Sequence, residues 1–153
     1  ADGTVCLYVG VSDVHLIADV NGFVDASSDL QPVVPARLLD SRPGESTVDG
    51  EQAGGGRAAA GDVVVLDVAG RGEVPEGVSG VVLNVTALGS DGPGFVTVFA
   101  CDAERPVASN LNFDAGTVQP NLVVSALGAD GTVCLYVGVS DVHLIADVGG
   151  YLS

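Results

Sequence analysis

Short apolar runs rich in valine, leucine and isoleucine alternate with turn-forming residues along the whole chain. The spacing of about three to four residues that marks an amphipathic helix is missing, whereas β-branched residues at alternate positions are typical of strands. The pattern therefore predicts an all-β protein. The predicted strands, each bounded by Gly, Pro, Asp or Asn, are residues 4–10, 14–20, 36–41, 62–69, 80–88, 94–100, 108–113, 121–127, 132–138 and 142–148.

The two ends of the chain carry the same sequence. Residues 1–20, ADGTVCLYVGVSDVHLIADV, are identical to residues 129–148, an offset of 128 residues. This period is far above the roughly 20–50 residues of solenoid repeats and has the size of a whole domain. We therefore expect a tandem array, in which residues 1–22 are the C-terminal hairpin of one repeat, residues 23–35 form a proline-stiffened linker and residues 30–152 form one complete repeat.

Because the two copies have one sequence, both cannot occupy the same place in the sheet. The C-terminal copy follows the preceding predicted strand after a short connection, and loop-closure entropy favours short connections. We expect the C-terminal copy to complete the domain. The N-terminal copy then stays outside the sheet, pairs with a neighbouring molecule or swaps.

Two all-β architectures fit the predicted strands. Residues 62–87, 95–115 and 132–148 each have the pattern strand, turn and strand, and TALGSDG at 86–92 matches SALGADG at 125–131. This weak internal repeat is compatible with a pseudo-threefold β-trefoil or β-prism. We favour an antiparallel β-sandwich-like domain built from related hairpins, because a repeat that extends a surface protein works best with its ends far apart.

Charge and composition argue against several classes of partner. The chain has 5 Lys+Arg, all of them arginine, against 20 Asp+Glu, which gives a net charge of −15. Nucleic acids and anionic membrane surfaces attract clustered Lys and Arg, so we expect neither as a partner. No apolar stretch approaches the ~18 residues of a membrane span, so we expect no direct membrane insertion.

The composition of residues 44–61, which is rich in Gly and Ala, predicts a mobile surface loop.

Each period holds two cysteines, because Cys6 and Cys134 are the same position in successive copies. Two cysteines permit one disulfide, which is typical of an oxidising, extracellular compartment. We predict a Cys101–Cys134 disulfide that leaves Cys6 unpaired. Two buried free thiols are the alternative.

Charged side chains are rare within the predicted strands, and three of them fall in ARLLDSR at 36–42. Arg37, Asp40 and Arg42 predict a structural ion pair that fixes the first strand to the sheet. An arginine contact to an acidic ligand or a neighbouring repeat is the alternative. Strand alternation places Asp40 and Arg42 on one face and Arg37 on the other.

Three asparagines, Asn84, Asn110 and Asn112, lie within predicted strands. Buried asparagines usually connect strand edges to loops through hydrogen bonds, and we expect that role here. Glycan binding by these amides is the alternative, although the aromatic residues that stack on sugars make up only 5% of the chain.

Oxygen-bearing side chains gather on and beside the predicted linker, at Asp19, Asn21, Asp25 and Asp29. Carboxylate and amide oxygens are the ligands that Ca²⁺ prefers, and a bound ion would stiffen the joint between repeats. Their spacing does not match an EF-hand loop, so a solvated acidic linker is the main expectation and calcium binding is the alternative. We predict no other cofactor.

Four segments carry a resemblance to a known domain. They are PARLLDSRPG at 35–44, VAGRGEVPEGVSGVVLNVTA at 68–87, RPVASNLNFDAGTVQPNLV at 105–123 and VHLIADVGGY at 142–151. The chain resembles a domain that recurs in secreted and surface-exposed actinobacterial proteins, beside hydrolases or in tandem. The resemblance implies an all-β domain, an extracytoplasmic location and an accessory or adhesive part. It supplies no ligand and no catalytic residues.

These observations favour a protein that is not an enzyme. Ser140, Asp141 and His143 have the residue types of a catalytic triad, but Asp141 and His143 project to one face of a strand and Ser140 to the other. We expect a structural extender repeat of a large cell-surface adhesin, with adjacent identical repeats of the same chain as its partners. A carbohydrate-binding accessory module, with a glycan as partner, is the alternative.

Overall fold

Eight strands form in the computed structural model, which describes residues 3–18, 23–25 and 27–153. These described residues contain no helix, and so none that would be long and apolar enough to cross a membrane. The strands are β1 (Leu30–Asp40), β2 (Val63–Asp67), β3 (Gly80–Leu88), β4 (Gly94–Ala100), β5 (Leu111–Phe113), β6 (Val118–Ala126), β7 (Thr132–Gly138) and β8 (His143–Leu152).

The strands form two antiparallel four-stranded sheets that pack against each other, so the predicted β-sandwich-like fold is confirmed. The strand order is β1-β8-β3-β6 in the first sheet and β2-β7-β4-β5 in the second. Alternate residues of each sheet form the interior, where Leu83 and Val85 of β3 and Leu135 and Val137 of β7 are fully buried. Burial of this apolar layer drives folding, at roughly 25 cal/mol per Å² of apolar surface.

The sandwich is not built from related hairpins, so this part of the prediction is wrong. β2 and β3 lie in different sheets, and so do β7 and β8. Of the three related segments, residues 95–115 alone form a hairpin, which is β4–β5. β7 is buried along almost its whole length, so it takes a central position between β2 and β4 instead of pairing with β8. The pseudo-threefold alternative is excluded by the same arrangement.

The C-terminal copy of the repeated sequence forms β7 and β8, as predicted. The N-terminal copy forms no strand over residues 3–18 and is exposed there, so the strands predicted over 4–10 and 14–18 are absent. The reason is competition, because the place that this sequence takes in the sandwich is already filled. Residues 19 and 20 of the second predicted strand lie outside the described residues.

The first strand begins earlier than predicted. β1 starts at Leu30, opposite Leu152 of β8, so Pro32 and Pro35 belong to the sheet. The prediction of a linker over residues 23–35 is therefore wrong for residues 30–35. Proline is tolerated here because β1 is an edge strand, in which the N–H groups that face away from β8 make no ladder hydrogen bond.

The two ends of the sandwich lie side by side. The backbone N–H of Ser153 donates to the carbonyl of Asp29 at 3.1 Å, and the Ser153 hydroxyl donates to the same carbonyl at 3.2 Å. The expectation of ends far apart is wrong, because β1 and β8 are antiparallel neighbours. The chain therefore enters and leaves the sandwich at one point.

Candidate functional sites

The predicted ion pair forms and is centred on Asp40, whose side chain is fully buried. Its Oδ2 accepts from Arg37 Nη1 at 2.9 Å and from Arg42 Nη2 at 2.7 Å. Its Oδ1 accepts from Arg42 Nε at 3.0 Å and from the Arg42 backbone N–H at 3.1 Å. Arg37 Nε also donates to Asp147 of β8 at 2.8 Å, so the cluster fixes β1 to β8 as predicted.

Arg37 contacts Asp40 although strand alternation places the two on opposite faces. The pairing of β1 with β8 shifts register between Arg37 and Leu39, where Arg37 faces Asp147 and Leu39 faces Ala146. A bulge adds one residue to a strand and reverses the alternation beyond it. The bulge therefore brings Arg37 and Asp40 together, and the prediction of opposite faces is wrong.

The cluster keeps Asp40 ionised. Burial alone raises the pKa of this carboxyl, but the hydrogen bonds and charge of Arg42, together with the charge of Arg37, outweigh burial and lower the pKa below its ordinary value. The hydrogen bond to Asp147 raises the pKa of Arg37, and the hydrogen bond to Asp40 raises that of Arg42. A carboxylate held between two guanidinium groups has no proton to donate near neutral pH, so Asp40 is a structural group and not a general acid.

A buried arginine, Arg71, was not singled out by its sequence. It lies in the turn after β2, where Gly72 packs so closely that an added Cβ would come within 2.9 Å of Val148 Cγ1. Its guanidinium donates to both carboxylate oxygens of Asp49, at 2.7 and 2.9 Å. It also donates to the Leu38 and Asp67 carbonyls at 2.9 and 2.8 Å.

Arg71 holds the segment 44–61 against the sandwich, so composition alone was a poor guide to this loop. Besides Asp49, it donates to the Gln52 side-chain oxygen at 2.8 Å and the Glu51 carbonyl at 3.3 Å. The Gln52 side chain also donates to the Val65 carbonyl of β2 at 2.8 Å. The prediction of a mobile surface loop did not include these contacts, which join the loop to both sheets.

We predict that the protein loses stability as the pH falls from about 4 to 2. The bidentate hydrogen bonds from Arg71 hold the pKa of Asp49 well below its ordinary value of 3.8, and the pKa of Asp40 is also lowered. A depressed folded-state pKa stabilises the protein above the unfolded-state pKa, and this contribution is lost as the pH falls towards the folded-state value. The thermal midpoint should be level from pH 7 to 5 and then fall.

The matched comparison for the pH profile is Arg71→Met, which removes the partner of Asp49. Its midpoint should change less steeply below pH 4 than that of the parent. A parent profile that stays flat down to pH 2 would contradict the assignment of these carboxylates as ionised structural groups.

The predicted Cys101–Cys134 disulfide is present. It joins the residue after β4 to the neighbouring strand β7 of the second sheet, with Cα atoms 4.9 Å apart. Cys134 is buried, whereas Cys6 is exposed and unpaired. The alternative of two free thiols is therefore wrong.

The three candidate asparagines do not form one site. Asn110 has the predicted role, because its Oδ1 accepts the Val98 backbone N–H at 2.8 Å and extends the hydrogen bonding at the edge of β4. Asn84 on β3 and Asn112 on β5 are exposed, so the prediction of burial is wrong for these two. They lie in different sheets, each flanked by core residues on its strand, so their side chains point outward on opposite faces of the sandwich.

Ser140, Asp141 and His143 have separate partners and form no triad. The Ser140 hydroxyl donates to the Pro93 carbonyl at 2.8 Å, and Asp141 accepts the Ala60 N–H at 2.9 Å. His143 Nδ1 lies 3.1 Å from the hydroxyl of Ser41. Ser41 Oγ accepts the Leu144 N–H at 2.9 Å as well, so this pair connects the end of β1 to β8.

The described residues give no support for calcium at the linker. Asp19 and Asn21 lie outside them. Asp25 Oδ1 accepts the backbone N–H and the hydroxyl of Ser27, at 2.9 and 2.7 Å. Asp29 contacts Ser153 through its backbone carbonyl. Across residues 3–18, 23–25 and 27–153, no three His, Cys, Asp or Glu side chains are grouped in a way that would hold a metal ion.

A cleft of about 470 Å³ lies on the outer face of the second sheet, with Phe95, Arg105 and Asn112 in its wall. The Arg105 guanidinium lies 3.9 Å from the ring centroid of Tyr136, which in turn lies 5.9 Å from the ring of Phe95. Within the part of the chain that the structure describes, Arg105 has no ion pair. Composition had not indicated the grouping of Phe95, Arg105 and Tyr136, because Tyr136 belongs to another strand than Phe95 and lies well beyond the other two residues in the sequence.

No protein-family model, curated protein or solved structure matches the chain.

Proposed function

We propose that this domain is a structural spacer repeat of a large cell-surface adhesin, without catalytic activity and located outside the cell. The observation that carries the proposal is the identity of residues 1–20 and 129–148, together with a complete sandwich between Leu30 and Leu152. A second copy at domain spacing is what a tandem array provides. The resemblance to secreted and surface-exposed actinobacterial domains supports this location, and an internal disulfide is compatible with it.

The charge of the chain supports an array of separate units. A net charge of −15 over 153 residues makes neighbouring copies repel each other and keeps them soluble. The arginines of the Asp40 and Arg71 clusters are used inside the fold, which leaves the surface predominantly acidic. Adjacent copies are therefore held together by the covalent chain and not by attraction between their surfaces.

The adjacent ends of the sandwich determine how such an array is built. Val24 is the equivalent of Leu152, because the two lie one repeat period of 128 residues apart. Five residues, 25–29, therefore separate β8 of one unit from β1 of the next. Five extended residues span at most about 17 Å. Each unit therefore projects sideways from the path of the chain, and the length of the array at rest comes from separate units that follow one another side by side.

The same geometry determines the response to tension. A force applied to the two ends pulls β1 and β8 apart from one end of their ladder, so their hydrogen bonds break one after another. Sequential opening needs less force than shearing all of them together. The Cys101–Cys134 disulfide keeps the chain between its cysteines, which are 33 residues apart, closed. We infer a spacer that extends under load by opening units.

Small-angle scattering on proteins of two, three and four units, each unit being residues 25–152, tests the array. The maximum dimension should rise linearly with the number of units, because short linkers fix the spacing between neighbours. A maximum dimension that rises only as the diameter of a compact sphere would, with the cube root of the number of units, would contradict a spacer role.

A second candidate function, glycan binding, is favoured by the cleft beside Phe95. Aromatic rings, an amide and an arginine without an ion pair form a suitable surface for a sugar that carries a carboxylate. When the protein is tested against immobilised glycans, binding to carboxylate-bearing sugars should be lost in Arg105→Ala. Binding should be kept in Asn84→Ala, which changes the opposite face of the sandwich. Absence of binding to every immobilised glycan would exclude this function.

A further inference from the structure

The N-terminal copy, residues 1–20, has the sequence of a segment that the sandwich buries. Val5, Leu7 and Val9 are 87%, 63% and 42% exposed. Their equivalents in β7 are fully buried: Val133, Leu135 and Val137. The place between β2 and β4 would bury either copy equally well, because the two have the same side chains at these positions.

Beyond residue 20 the copies diverge only where the sandwich tolerates change. Gly149 has nothing within 4 Å of an added Cβ, and the N-terminal copy has asparagine at the equivalent position, residue 21. Gly150 is crowded, since an added Cβ would lie 3.0 Å from the Gln31 carbonyl, and the equivalent residue 22 is glycine. Tyr151 and Leu152 are replaced by phenylalanine and valine, which keep the apolar character.

The connections also permit either copy to complete the fold. Five residues, 127–131, join β6 to β7. Five residues, 25–29, join Val24, the equivalent of Leu152, to β1, whose first residue Leu30 is the partner of Leu152. Five residues is within the usual range for a connection between two strands. Closure entropy depends on loop length, so two connections of equal length do not favour one copy over the other, and the prediction that loop length favours the C-terminal copy is wrong.

We propose that the two copies are interchangeable within one chain. In the exchanged form the N-terminal copy pairs with β2 and β4 and with β1 and β3, and the C-terminal copy is released. Cys6 then takes the position of Cys134 and forms the disulfide with Cys101. Formation of that bond oxidises the Cys6 and Cys101 thiols and reduces a glutathione disulfide of the redox buffer, so electrons and protons balance.

The exchange holds for this chain whether or not it is a spacer. Its consequence for an array rests on the proposed function. There, every sandwich would have one such segment before β1 and one after β6, so a unit opened by tension can close again with either. The cysteine that is bonded to the equivalent of Cys101 in each unit then identifies the segment with which that unit closed.

The first test introduces a charge into one copy at a time. Leu135→Asp, Leu7→Asp and the double variant are refolded from the reduced, unfolded chain in a glutathione buffer. Cleavage after glutamate, at Glu45, Glu76 and Glu104 among other sites, places each of the three cysteines on a different peptide. Mass spectrometry then identifies the disulfide, and size-exclusion chromatography gives the oligomeric state.

The parent should form mainly Cys101–Cys134, the bond of the structure, with a smaller share of Cys6–Cys101 that Leu7→Asp should abolish. Leu135→Asp should remain a folded monomer with a Cys6–Cys101 disulfide, and the ratio of the two disulfides should reverse by about 100-fold or more because a buried charge is strongly unfavourable. The double variant should show no cooperative unfolding. If Leu135→Asp unfolds like the double variant, or forms Cys6–Cys101 only in covalent dimers, exchange within one chain is wrong.

A second variant retains the full core. Cys134→Ser should form a Cys6–Cys101 disulfide within the monomer, because the exchanged form is the one that this bond selects. Adding Leu7→Asp to Cys134→Ser should abolish the bond. Free thiols at both Cys6 and Cys101 in Cys134→Ser would overturn the proposal.

Discussion

Replacing Arg71 by methionine is expected to lower the free energy of unfolding by about 3–5 kcal/mol. Methionine retains much of the apolar stem but donates no hydrogen bonds. Asp49 loses its bidentate partner, and the Leu38 carbonyl loses the hydrogen bond from Nη2. Urea denaturation monitored by circular dichroism measures the change. Residues 49–52 should also become more susceptible to proteolysis, because Arg71 bonds to Asp49, Glu51 and Gln52. The later part of the segment keeps its backbone hydrogen bonds to β1 and to Val142.

The matched control is Arg57→Met. Arg57 pairs with Asp91 at 2.6 Å, but the two side chains are 38% and 89% exposed. Exposed ion pairs contribute about 0–1 kcal/mol, so this variant should unfold close to the parent. Equal effects at Arg57 and Arg71 would show that the burial of Arg71 has no energetic consequence.

Replacing Cys101 by serine is expected to cost about 3–4 kcal/mol of stability. The disulfide closes a loop between cysteines 33 residues apart, and its removal restores conformational freedom to the unfolded chain. The change is read from urea denaturation under oxidising conditions. Reducing agent should lower the stability of the parent by the same amount and leave Cys101→Ser unchanged.

Cys6→Ser provides the control for the cysteine replacement, because Cys6 is exposed and unpaired. Its denaturation midpoint should match that of the parent. A Cys101→Ser variant as stable as Cys6→Ser would mean that the disulfide contributes nothing to the fold.

Strand positions were accessible from the sequence where alternation and turn residues coincide. The bounds predicted for residues 80–88, 94–100 and 132–138 are those of β3, β4 and β7. Glycine or an adjacent turn sequence marks the ends of each. The start of β1 was missed because Pro32 and Pro35 suggest a linker, and only the pairing with β8 shows that an edge strand accepts them.

Strand partners were not accessible from the sequence. Local pattern shows that β7 and β8 are strands, but their separation into two sheets depends on contacts with β2, β4, β1 and β3. The position of Arg37 depended in the same way on a bulge that alternation cannot reveal. Short turns suggested hairpins, and the burial of both strands overrode that suggestion.

A candidate site was predictable from the sequence where its residues lie close together in the chain, and was missed where they lie far apart. Asp40 and Arg42 are two residues apart and form the expected pair. Arg71 and Asp49 are separated by 22 residues, and the signal available was an arginine between two glycines in a chain with few cations. Phe95, Arg105 and Tyr136 meet only because β4 and β7 are neighbours.

Stretching a four-unit protein from its two ends in a single-molecule force experiment tests the spacer most directly. Equal steps should appear at low force, one for each unit, because the ladder between β1 and β8 opens from one end. With a reducing agent each step should lengthen by about 110–120 Å, the extended length of the 33 residues that the disulfide holds back. Irregular extension without repeated steps, or steps of unchanged length after reduction, would contradict a chain of independently folded, extensible units.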